Sequence, residues 1–140
     1  MTDDRRQRGL EMMGKVYGWE VSDGPGDFFA LTADHLFGDI WSRPGLTLRD
    51  RRLLLLGALA AQGQDDVVEI QAQAALGNGE ISADEMREIG LFLLHYVGWP
   101  LGTKFVMKTD AIISQRERAR RKAAKAEAAK EAGDKHEEDQ

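Results

Sequence analysis

Two polar side chains set among apolar helical positions carry the first chemical suggestion in this 140-residue chain. Gln71 falls with Val67, Ala74 and Ala75 at spacings that share one helical face, and His95 falls likewise with Leu91, Phe92, Gly98 and Trp99. Both are expected to point inward. A buried polar group needs a partner, so the amide and the imidazole should bond to each other, to backbone or to a ligand. An imidazole changes charge near neutral pH and can serve as a general acid, whereas an amide can only hold a hydrogen bond. Arg43, Arg51 and Arg52 offer guanidinium groups of the kind that grip a carboxylate through two parallel bonds. Trp41, Tyr96 and Trp99 are candidates to wall a pocket for a ring. Each reading has a plainer rival: satisfied core polar groups for Gln71 and His95, a solvated first helical turn for Arg51 and Arg52, and ordinary core packing for the tryptophans.

Composition removes other chemistries. The absence of cysteine excludes disulfides, thiolate metal sites and thiol redox mechanisms. His35, His95 and His136 lie on separate segments, none with a second ligand at helical spacing, so no metal is expected. Gly24-Pro25-Gly26 lacks the strand and the glycine pattern of a phosphate loop, so no flavin, nicotinamide or nucleotide cofactor is expected. The net charge of −5 is uneven, with basic residues crowding Arg116 to Lys130 and acidic ones at Glu137-Glu138-Asp139, which does not mark a nucleic-acid binder overall. Neither a signal peptide's apolar run nor the ~20 apolar residues of a membrane span is present, and a cytoplasmic protein is expected.

The elements that must position these residues read as helices throughout. With 42% hydrophobic residues the chain can bury one core, and a single domain over 1–114 with a charged tail over 115–140 is expected. Asp3 or Asp4 is placed to cap a first helix with Leu10, Met13, Val16 and Tyr17 on one side. Asp27 is placed to cap a second, whose stripe is Phe29, Ala33, Leu36, Phe37, Ile40 and Trp41, with His35 toward solvent. Thr47-Leu48-Arg49-Asp50 and Ser82-Ala83-Asp84-Glu85 are capping boxes opening two further helices. Between them Gly63 stops one helix, Asp65 caps the next and Gly79 closes it. The run Leu53 to Ala61 is apolar all round, which calls for enclosure on most sides, a second subunit included. After Pro100 a last helix continues into an Ala, Arg, Lys and Glu tail with little to bury, expected to fray toward Gly133.

Phe37-Gly38-Asp39-Ile40-Trp41-Ser42-Arg43-Pro44-Gly45-Leu46, Ala75-Leu76-Gly77-Asn78-Gly79 and Tyr96-Val97-Gly98-Trp99-Pro100, in this order and at these separations, resemble the carboxymuconolactone decarboxylase family of the alkylhydroperoxidase D-like superfamily. The resemblance implies an all-α bundle of about six helices with a central antiparallel helix pair. It also implies a homo-oligomer, often a trimer or hexamer, with sites near subunit contacts. Decarboxylating members carry a histidine where this chain has Gln71 and an acidic residue where it has Val67. Thiol-dependent relatives carry cysteines where it has Gln64 and Val67, so a thiol peroxidase is excluded.

Two functional expectations follow. One is a lyase acting on a small carboxylated lactone or related ring acid of aromatic-compound degradation, with His95 as proton donor, Gln71 as hydrogen-bond donor and an arginine as anion clamp. The other is an oligomeric scaffold, non-catalytic or differently catalytic, that has lost the family's acid–base pair. The first requires Gln71 and His95 to converge on one cavity; the second lets them bond internally.

Overall fold

A computed structural model describes residues 2–139, and in it every regular element is helical. The helices are α1 (Thr2–Tyr17), α2, α3 (Leu48–Gln62), α4 (Asp65–Gly77), α5 (Ala83–Val97) and α6 (Trp99–Glu138), where α2 opens with one α-helical turn, Asp27–Ala30, and continues as the π-helical segment Leu31–Ile40.

The π-helical stretch explains how its stripe is used. Backbone bonding steps back five residues, as from the Trp41 amide to the Leu36 carbonyl at 2.9 Å, so residues four apart stay nearly in line. Ala33, Phe37 and Trp41 are accordingly buried, while Leu36 and Ile40, expected on the same stripe, turn partly to solvent. Ala33, Phe37 and Trp41 meet Met13 and Val16 of α1 in a core of their own. The crossing is close because Gly9 lacks a side chain: a methyl group there would lie 1.8 Å from the Ala33 carbonyl oxygen. Around it Arg6 binds Asp34 and Asp23, and Arg5 binds Asp39. These guanidinium groups hold the carboxyls of Asp34 and Asp39 below the usual range.

The larger core lies where α3 to α6 meet, around Leu56, Val68, Ala72, Ile81, Met86, Phe105 and Ile113. Both capping boxes are present: Thr47 and Asp50 bond reciprocally at the start of α3, and Ser82 and Glu85 do so at the start of α5. Other starts differ from expectation. Gly26 and Gln64 occupy the cap positions of α2 and α4 without side-chain bonds, and Asp27 and Asp65 sit in the first turns. Asp65 acts there by charge, its carboxyl pulled below the usual range by its own backbone amide and by Lys104. Asp4 lies inside α1, and the Asp3 side chain falls outside what is described. The helices α5 and α6 fold back on each other across Gly102, where a methyl group would come within 2.8 Å of the Leu94 Cα. From Glu117 to Asp139 every residue is exposed, and α6 remains helical past Gly133 to Glu138.

Candidate functional site

Arg52 determines the fate of Gln71. It stands one turn into α3, where its side chain enters the junction of α1, α3 and α4 and is 0% exposed. Its Nε and Nη2 donate to the two carboxylate oxygens of Glu80, both at 3.0 Å. Nη2 also donates to the Lys15 carbonyl at 3.3 Å, and Nη1 donates to the Val16 carbonyl and to Gln71 Oε1. Five donors thus meet five protein acceptors, which is the full capacity of a guanidinium group. Asn78 closes the arrangement, its Nδ2 donating to the Lys15 carbonyl at 2.7 Å and to Glu80 Oε2 at 2.8 Å.

This corrects the reading of Arg52 as an anion clamp. The residue has no N–H left for a substrate, and its charge is matched by a carboxylate already in place. Gln71 does face inward, at 3% exposure, but its oxygen is held by Arg52. Glu80 was missed in the sequence because it follows the α4 turn as an ordinary loop polar residue, and Asn78 was read only as part of that turn. The available signal was a charged residue, Arg52, on the edge of an apolar helix that had to find a buried anion.

His95 lies elsewhere. The expectation that its face points inward is overturned: His95 is exposed near the end of α5, together with Leu91, Phe92, Tyr96 and Trp99. Tyr96 and Trp99 are 77% and 61% exposed. The imidazole is nevertheless ordered by two contacts. Its Nδ1 lies 2.8 Å from the Leu91 carbonyl oxygen, and its ring meets Trp99 edge to face at 5.8 Å between centroids. A carbonyl only accepts, so Nδ1 carries the proton, and Nε2 has no partner among the described residues.

The remaining candidates are dispersed. Trp41 is buried against Phe37 and serves the α1–α2 core, not a pocket wall. Arg51 is half-buried and donates to the Leu46 carbonyl. Arg43 is exposed in the loop before α3, without a side-chain hydrogen bond or ion pair among the described residues. Four surface cavities of about 330, 670, 570 and 570 Å³ surround the bundle, and neither Gln71 nor His95 lines any of them. Gln71 and His95 are therefore not brought together on one cavity within the chain. No group of three or more metal-ligating side chains occurs among the described residues.

The helical bundle, with its α4–α5 hairpin turning at Gly77-Asn78-Gly79, defines the class. Residues 26–106 match the sequence model of the carboxymuconolactone decarboxylase family, and the chain belongs to that family. Over 109 residues it is 31% identical to the 4-carboxymuconolactone decarboxylase of Acinetobacter baylyi, covering 71% of this chain and 81% of that protein. A second relative, the nitrosuccinic acid decarboxylase of Metarhizium robertsii, is 30% identical over 84 residues, or 60% of this chain and 58% of that protein. The chain is thus decarboxylase-like. None of the described helices is long and apolar enough to cross a membrane.

Proposed function

We propose that the protein is a homo-oligomeric lyase that removes carbon dioxide from a small carboxylated lactone or related ring acid, with His95 as its acid–base group at a seam between subunits. The observation that carries this reading is the imidazole itself: anchored through Nδ1, with Nε2 free, and set on an apolar surface of Leu54, Leu91, Phe92, Tyr96 and Trp99. Exposed apolar surface of this extent is the kind that a second subunit covers, and covering it would remove water from around the ring. A trimer or hexamer, a cytoplasmic location and a place in aromatic-compound degradation belong to the same proposal.

The chemistry asks little more of the chain. As the carboxylate leaves, the carbon–carbon bond breaks and its electron pair passes into the neighbouring lactone or other electron-withdrawing group. Imidazolium Nε2–H then returns a proton to that carbon. Arg43, whose guanidinium has no partner among the described residues, would hold a second acidic group of the substrate. Gln71 has no part in this scheme beyond fixing Arg52. Both relatives are named for decarboxylating small acids, which supports the reaction class.

A second reading, the scaffold without the family's acid–base pair, is favoured by one specific observation. The position of the family histidine holds Gln71, and that amide is sealed into a structural ion pair. Carbon dioxide release from 4-carboxymuconolactone and from nitrosuccinic acid separates the two. Turnover by the wild type that falls by about 10²-fold or more in His95→Ala supports the lyase, that being the usual worth of a positioned acid or base. Folded wild-type protein that releases nothing from either acid, nor from a panel of small ring acids, selects the scaffold.

A further inference from the structure

We infer that the cleft between the α4–α5 turn and α6 is a ligand site, separate from His95, that takes a small carboxylate bearing an apolar body. The cleft holds about 330 Å³, within the usual range for small-molecule pockets. Its floor is apolar, made by Leu76, Ile81 and Ile113. Arg116 and Arg120 line the cleft one turn apart on α6, and Arg116 also lines the neighbouring cavity beside Gly77 and Asn78.

The charges around the cleft are unevenly committed. Two carboxylates line it, but each already has a cation: Glu85 binds Arg49 at 2.5 Å, and Glu117 lies 3.8 Å from Arg87. Glu85 is further held by the Ser82 backbone amide, which with Arg49 keeps its carboxyl below the usual range. Neither Arg116 nor Arg120 has a hydrogen bond or ion pair among the described residues. Like charges at this spacing repel, and the half-buried Arg116 also gives up part of its hydration. One anion bound between them relieves both costs.

The first turn of α5 adds to the same field. Its capping box satisfies the amides of Ser82 and Glu85, which leaves those of Ala83 and Asp84 at the positive end of the helix, with Ala83 lining the cleft. An apolar floor beneath paired cations selects an amphiphilic acid over a bare anion or a neutral hydrocarbon. A straight eight-carbon monocarboxylate is the simplest molecule with both features.

Calorimetric titration of the full-length protein with octanoate, octan-1-ol and acetate tests the assignment. Octanoate should bind saturably at one site per chain, and the other two at least about tenfold more weakly, a difference of roughly 1.4 kcal/mol. The double variant Arg116→Gln/Arg120→Gln should weaken octanoate at least about tenfold. Arg118→Gln/Arg121→Gln, which removes two neighbouring exposed charges outside the cleft, should leave it unchanged, as should His95→Ala. Circular dichroism verifies that each variant is folded. Absence of saturable octanoate binding, or equal loss in both double variants, overturns the site without touching the lyase reading.

Discussion

The Arg52 junction and the His95 edge hold the two polar residues that sequence spacing places on inward faces, and they have opposite fates. At the junction all five guanidinium donors of Arg52 are matched, the charge is enclosed, and none of them remains to meet a substrate. At the edge the imidazole is fixed on one side only and its second nitrogen stays free. A polar group on an apolar face can therefore be structural or available, and the number of its partners decides which. In this chain Gln71, which stands where the motif resemblance implies a histidine, is bound to a structural arginine.

The largest effect should come from opening the junction. Arg52→Met leaves Glu80 without its cation, with Asn78 as its remaining donor, and leaves Gln71 Oε1 without the donor it has here; removing one partner of a buried pair typically costs about 3–5 kcal/mol. Urea denaturation should show that loss, and Arg52→Met/Glu80→Leu should recover much of it. Full wild-type stability in the single variant would mean that the junction is wet. Gln71→Leu removes one acceptor from a group that keeps four others, so a smaller loss of about 1–3 kcal/mol is expected in the same assay. The edge should behave differently: His95→Ala should change stability by no more than about 0.5 kcal/mol, because the ring packs on one exposed neighbour. A loss comparable to that of Arg52→Met would erase the contrast between the two regions.

The smallest effect concerns the exposed ion pairs of α1 and α2. Their folded-state carboxyls titrate below the ordinary aspartate value, so their contribution is complete above about pH 4 and disappears as pH falls through the lowered values. Proteolysis within α1 should quicken on acidification below about pH 4, and Asp34→Asn/Asp39→Asn should remove that dependence. Because these pairs are solvent-screened, the neutral-pH stability of the variant should differ only slightly from the wild type.

Local features of the fold were legible in the sequence because they are written in local chemistry. Thr47 with Asp50, and Ser82 with Glu85, form the expected boxes, while Gly63 and Gly79 take the positive φ angles that end helices. The family was legible in three turn motifs. What spacing could not provide was direction. Leu91, His95 and Trp99 share a face, but an apolar face of a helix looks the same in sequence whether it meets its own chain or another molecule. Nor could spacing pair Arg52 with Glu80, since they are joined only by tertiary packing across 28 positions. The π-helical phase of Leu31–Ile40 was hidden for a related reason: a line of Ala33, Phe37 and Trp41 fits both helical repeats.

The last helix has a consequence for the particle as a whole. Forty residues at 1.5 Å each make α6 about 60 Å long, whereas a chain of this length packed into a ball has a radius of gyration near 14 Å. A rod therefore projects from each bundle. The maximum dimension seen in small-angle scattering will be set by this single spoke, and any closed ring of subunits must arrange its spokes outside the contacts that hold the ring together.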